Sequence, residues 1–231
     1  MLISSSPKPD PTAWWNQNLP ESEHTATVPD FLHDSSARDI ALISAPEASF
    51  RPLSWAECNA IVRANDLEKF CRSPLALRSY REAMYTVRRE HGSVMAFLVN
   101  HRVGWPGDSA KPTPGKAPFE EPADYKIIFN DWPYGIDSRI VHLVVWTKFE
   151  LMEDPETGRL TEKAWKEIDD FVGQTFRSHV PAENVIWFKN WSAIKSVKAL
   201  EHLHVMMLDP DPAFISKITN GDRPLCESFS K

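Results

Sequence analysis

The 231-residue chain is 42% apolar and 25% charged, the balance of a water-soluble globular protein with a real core. Its three cysteines, Cys58, Cys71 and Cys226, are too few and too scattered for a disulfide framework or a cysteine-built metal site. No stretch approaches the ~20 apolar residues of a membrane span, and the N-terminus lacks a signal-peptide layout, so a cytoplasmic location is expected.

The net charge of −6 is unevenly spread: residues 1–50 carry −5, residues 51–105 carry +4, and the remainder carries −5. Only the middle segment invites a polyanion. Residues 1–50 mix Pro, Ser, Asp and Thr with isolated Trp14, Trp15, Phe31 and Leu32, and read as a poorly structured extension whose tryptophans dock on the body. Residues 51–231 read as a single α+β catalytic domain.

From Ser54 the pattern turns helical. Ser54 and Glu57 have capping-box spacing, and Ser73-Pro74 supplies an N-cap with proline at the first helical position. That second helix ends at Gly92. It carries an apolar stripe of Leu77, Tyr80, Met84 and Val87, beside an adjoining face with Arg78, Arg81, Arg88 and Arg89. With Arg72 just upstream, those guanidiniums can track phosphates; a solvated helix face is the competing explanation. Ser93 starts a further short helix ending near Gly104, and residues 106–123 read as a loop.

Beyond the loop, Tyr125–Asn130 and Arg139–Lys148 have strand composition, joined by Asp131-Trp132-Pro133-Tyr134-Gly135-Ile136-Asp137. Thr161 caps a helix running to about Ser178, strands follow at Asn184–Asn190 and Leu200–Leu208, and Pro212–Ile218 is a last short helix. The expected fold is α+β, with N-terminal helices packed on an antiparallel or mixed sheet.

Two constellations point to chemistry. His202 and His204, in Glu201-His202-Leu203-His204, share one face of a strand because side chains alternate. Paired imidazoles serve as general base or as nucleophile at phosphorus, although satisfied core histidines are the competing explanation. Glu201 belongs to the same run but projects from the opposite face. His142 is a third imidazole if the strands neighbour one another; no metal is expected. The Asp131–Asp137 turn sets two carboxylates around Trp132 and Tyr134, suited to a planar cation, or merely to a tight turn. Lys189, Asn190, Trp191 and Ser196 lead into the histidine strand as polar and basic donors.

At these motifs the chain resembles a fungal family of formerly uncharacterised proteins, the N-acetylglucosamine-induced protein family, which includes the arginine-containing cyclodipeptide synthases. The resembling segments are Ser73-Pro74 through Gly92-Ser93-Val94, Asn130 to Gly135, Ile140 to Lys148, and Trp187 to Met206. The resemblance implies condensation of arginine and a second amino acid from aminoacyl-tRNAs into a cyclo-Arg-Xaa diketopiperazine, in secondary metabolism and without a cofactor. His202 or His204 is then the base, with Lys189, Asn190 or Ser196 as oxyanion donors. Asp131, Trp132, Tyr134, Asp137 and Trp191 would hold the substrate, and Arg72, Arg78, Arg81, Arg88 and Arg89 the tRNA. A weaker likeness is to histidine-triad nucleotide hydrolases and transferases, through the β-β-α-β-β order and the His-x-His strand. There Met206 stands where a third histidine belongs. A non-enzymatic, amino-sugar-responsive protein is the third possibility.

Overall fold

A computed structural model describes residue 10, residues 12–190 and residues 200–229. Trp191 and Ser196 lie outside the described residues.

The helices start where side-chain oxygens meet orphan amides. Helix α1 (Ala37–Ser44) is capped by Ser36, and α2 (Trp55–Ala64) by a full capping box in which Ser54 and Glu57 satisfy each other's backbone N–H. In α3 (Pro74–His91) the Ser73 side chain accepts from the Ala76 N–H, and the helix stops at Gly92, whose φ of 77° suits glycine. Helix α4 (Val94–Phe97) begins at Ser93 and widens into a π-turn over Leu98–Val103. Helix α5 (Glu162–Val172) starts at Thr161 and widens likewise over Gly173–Arg177, where a plain helix was expected to Ser178. Helices α6 (Pro212–Ile218) and α7 (Cys226–Phe229) follow the sheet. Among the described residues no helix is long and apolar enough to cross a membrane.

Four strands, β1 (Tyr125–Phe129), β2 (Ile140–Thr147), β3 (Val185–Phe188) and β4 (Glu201–Leu208), form one sheet in the order β1-β2-β4-β3. Every neighbouring pair is antiparallel. The expectation of an antiparallel or mixed sheet thus resolves to antiparallel, and the order β-β-α-β-β holds.

The two faces of the sheet are buried differently. On one face Leu143, Val145, Leu203, Val205 and Met207 pack on Ile168, Phe171, Val172 and Phe176 of the α5 segment. Each such buried aliphatic or aromatic side chain contributes ~1.5–3 kcal/mol. On the other face, α2 covers Ile140, Phe188 and Met206, and the π-turn after α4 covers Ile128, Val144 and Trp146. Helix α3 caps Trp132 from above. A gap remains between these helices, over the middle of β2 and β4.

The N-terminal segment departs from its expected lack of structure. It folds as short 3₁₀ turns around α1, and Leu32 and Ile43 bury against Leu77 of α3, with Trp14 and Trp15 packed alongside. Asn18 and Asn16 bond main-chain groups across this segment, which lets so short an element hold its shape.

Candidate active site

The antiparallel register of β2 and β4 brings three histidines together. His204 lies opposite Val144, His202 opposite Trp146 and His142 opposite Met206, so all three rings project from one face of the sheet. His142 Nε2 is 3.0 Å from His204 Nδ1, and the Asn190 amide nitrogen is 3.2 Å from His204 Nε2. Asn130 accepts the Trp132 N–H with its oxygen, which turns its amino group onto His142 at 3.3 Å. Phe188 stacks on His204 with ring centroids 4.9 Å apart, and Trp146 lies 4.4 Å from His202.

Both central imidazoles are uncharged at neutral pH. Burial, aided by the Arg72 guanidinium, pushes His142 down to about 3. Burial, then His142, His202 and Arg72, holds His204 well below its ordinary value. In His202, Nδ1 is 3.2 Å from the Leu200 carbonyl, which can only accept, so Nδ1 carries a hydrogen.

A cavity of about 120 Å³ opens onto this cluster. Asn130, Asn190, His202 and His204 line its base, and Asp131, Trp132 and Tyr134 come from the β1–β2 turn. Tyr80, Met84 and Phe97 close it from α3 and α4. The two expected constellations therefore converge on one hollow. Asn190 Oδ1 is buried with no hydrogen-bond partner among the described residues. A buried, unmatched amide oxygen costs ~1–3 kcal/mol, so it is an acceptor waiting for a donor.

Several expected site residues stand elsewhere. Asp131 does lie in the wall, but its carboxylate is taken: Arg102 reaches it at 2.8 and 2.9 Å and the Leu225 N–H at 3.1 Å. Arg102 also grips Asp222 with two bonds, at 2.8 and 3.0 Å. Burial raises the Asp131 carboxyl above its usual range, against the pull of Arg102. Asp137 is not in the cavity. It pairs with Arg139 at 2.9 Å outside it, and that guanidinium lowers its carboxyl.

Lys189 and Glu201 face the opposite side of the sheet. Lys189 is bonded to Glu153 and lies 3.1 Å from Glu201, so it is no donor to the histidine cavity. Burial opposes its charge, yet those two carboxylates raise its pKa. The arginine face is also largely spent. Arg72 sits in the cavity wall, 4.4 Å over the Tyr80 ring, donating to the Trp132 carbonyl. Arg78 donates to the Trp15 carbonyl, and Arg81 lies 3.6 Å from Asp39, both beneath the N-terminal segment. Arg88 and Arg89 alone of that set stay exposed.

Tyr80, Phe97, Arg102, Asn130 and Asp222 join the site without having been expected there. Tyr80 stood in the α3 apolar stripe, and Arg102 is a cation in a short apolar helix where burial demands a partner.

The family whose pattern matches residues 54–208 is described as a protein of unknown function, DUF3605. The chain belongs to this family. The matched span holds the three histidines, both asparagines, the Asp131–Tyr134 turn and Arg102. N-acetylglucosamine-induced protein 1 of Candida albicans is 24% identical over 187 residues, 74% of each chain. An uncharacterized protein of Saccharomyces cerevisiae is 26% identical over 159 residues, 68% of this chain and 79% of that one. The crystal structure of HTC1 superposes with a TM-score of 0.60 at 24% identity, covering 73% of this chain and 96% of that one, a likeness of fold.

Proposed function

We propose that this DUF3605 protein is an aminoacyl-tRNA-dependent transferase of the arginine-containing cyclodipeptide synthase kind. The supporting observation is the cavity itself: uncharged imidazoles and an unmatched buried amide oxygen meet between aromatic walls, on segments that resemble a family which includes those synthases. Sites for whole small molecules run to ~300–1,000 Å³. A hollow of about 120 Å³ takes one aminoacyl side chain and leaves the nucleotides outside.

An aminoacyl ester is already activated, so the protein must deprotonate, align and stabilise. His202 Nε2 takes a proton from the α-ammonium of one aminoacyl group, and Asn190 Oδ1 accepts from the same nitrogen. The freed amine attacks the carbonyl carbon of the second ester; the carbon–oxygen bond to the ribose breaks, and the ribose oxygen leaves with a proton. Repetition in the other direction closes the six-membered ring and frees the second tRNA. A positioned base supplies ~10²–10⁴-fold in rate, and alignment supplies several kcal/mol more.

The arginyl side chain is received differently from the sequence expectation. Asp131 and Asp222 are balanced by Arg102 and by Arg72, which donates to the Trp132 carbonyl, so the aromatic face of Trp132 rather than a free carboxylate is what attracts a guanidinium.

Phosphorus chemistry at His204 is less well supported, because both its nitrogens are engaged, by His142 and Asn190. Incubation of the purified protein with arginyl-tRNA and mixed charged tRNAs tests the proposal. Cyclo-Arg-Xaa detected by mass spectrometry and abolished by ribonuclease supports it. Absence of product, or stabilisation by N-acetylglucosamine alone in a thermal-shift screen, overturns it.

A further inference from the structure

The sheet has two edges, and they are treated differently. At β1 the Asp222 carboxylate takes the Phe129 N–H at 3.0 Å. Strand β3, at the other edge, borders an open groove of about 880 Å³ whose lining includes all five residues Val185–Lys189. Alternate side chains of a strand point to opposite faces, so five consecutive residues share one groove only where it follows the strand's edge. An edge presents main-chain donors and acceptors to any extended chain that arrives.

The groove is chemically specific. Arg63, at the end of α2, lines one part, and Arg159, in the bridged Glu153–Leu160 hairpin, lines another. The other charges in the lining are matched: Lys189 with Glu153, and Arg177 with Asp169 at 2.9 Å. Arg63 and Arg159 are exposed and make no ion pair with a described residue, on a chain whose net charge is −6. Trp165 is 52% exposed, with its ring 5.7 Å from Trp187. The Trp187 ring is held by an Nε1–H bond to Asp169 at 3.0 Å. An exposed indole over a fixed one is an apolar seat for a single side chain.

We propose that this groove binds an extended acidic peptide segment by strand addition to β3. The peptide backbone pairs with the strand edge, its carboxylates meet Arg63 and Arg159, and one of its apolar side chains rests on Trp165 and Trp187. The site lies on the opposite side of β3 from its pairing with β4, and it does not depend on the aminoacyl-transfer proposal.

The full-length protein is titrated into a fluorescein-labelled decapeptide of alternating Val and Glu, followed by anisotropy and by tryptophan emission. Saturable binding is expected, lost when alternate peptide nitrogens are methylated and weakened about tenfold by the double reversal Arg63→Glu with Arg159→Glu. Trp165→Ala, at an exposed position, weakens it without lowering the melting temperature, and stands in should the double variant fold poorly. Equal binding of the alternating Val-Lys decapeptide would overturn the proposal. So would indifference to both sets of variants, or saturation by a ten-nucleotide oligothymidylate with none by the peptide.

Discussion

His142 on β2 and His204 on β4 touch through their ring nitrogens, Nε2 to Nδ1 at 3.0 Å, in the buried heart of the sheet. They are diagonal neighbours across an antiparallel pair, since His204 faces Val144 two residues further along β2. One hydrogen lies between the two nitrogens, so one ring donates and the other accepts, and the accepting nitrogen cannot be protonated without breaking the contact.

Acid should therefore unfold this protein early. The folded pKa of His142 is about 3, and that of His204 also lies well below its ordinary value. Between those values and ~6.5 the unfolded chain binds more protons, so stability rises with pH across that window and is lost as pH falls. Each imidazole contributes a slope of ~1.4 kcal/mol per pH unit. Urea unfolding at pH 7 and pH 5 measures the loss, and His142→Asn should flatten it. A stability independent of pH across that range would contradict the neutral buried pair.

His202→Ala should lower cyclodipeptide formation by ~10²–10⁴-fold in protein that is still folded, and removing a ring buried against Trp146 should lower the melting temperature as well. His204→Ala acts differently, because it strips a partner from both His142 and Asn190 and should cost ~1–3 kcal/mol of stability. Rate and melting curve measured on both variants separate the base from its support. An unchanged rate in His202→Ala would remove the assigned base.

Arg102 is the pin between the β1–β2 turn and the C-terminal segment. Arg102→Met leaves Asp131 and Asp222 buried without their cation, and should cost ~3–5 kcal/mol. Adding Asp131→Asn and Asp222→Asn should recover a large part of it, as seen by chemical denaturation. No recovery would mean that lost packing, not stranded charge, sets the effect.

Transfer RNA affinity should respond to the exposed arginines only. Arg88→Ala with Arg89→Ala should weaken binding and flatten the salt dependence by ~1–2 units of log–log slope. Arg78→Ala with Arg81→Ala should instead lower the melting temperature, because those side chains tie down Trp15 and Asp39. Filter binding across a salt series distinguishes the two pairs.

Gly135 carries a packing constraint rather than a turn. A Cβ there would meet the Phe50 ring at 2.1 Å, while its own N–H and C=O bond to Cys71 and Leu53. Gly135→Ala should destabilise the protein, and Phe50→Leu should relieve part of that loss in a thermal melt. Additive losses would show that the ring turns aside without cost.

Much of the architecture was legible in short windows of sequence. Ser54 with Glu57, Ser73 before Pro74, and Thr161 each announce a helix start, because a cap is settled within three residues. Period-two alternation placed His202 and His204 on one face, away from Leu203 and Val205, and left Glu201 opposite them. The widening of α5 at Gly173 had no such signal, since a π-turn answers to packing at a distance.

The site's partnerships were a different matter. By itself the sequence determined most of the elements beyond residue 54, their order, the shared histidine face and the Asp-Trp-Pro-Tyr turn, all of which follow from local periodicity and backbone preference. Only the tertiary structure decided that Asp131 is claimed by Arg102, 29 residues away, and that Arg78 is claimed by Trp15, 63 residues away. A charge looks the same in sequence whether it awaits a ligand or already has a partner. Desolvation forces that choice, and desolvation is known only once the chain has closed around the group.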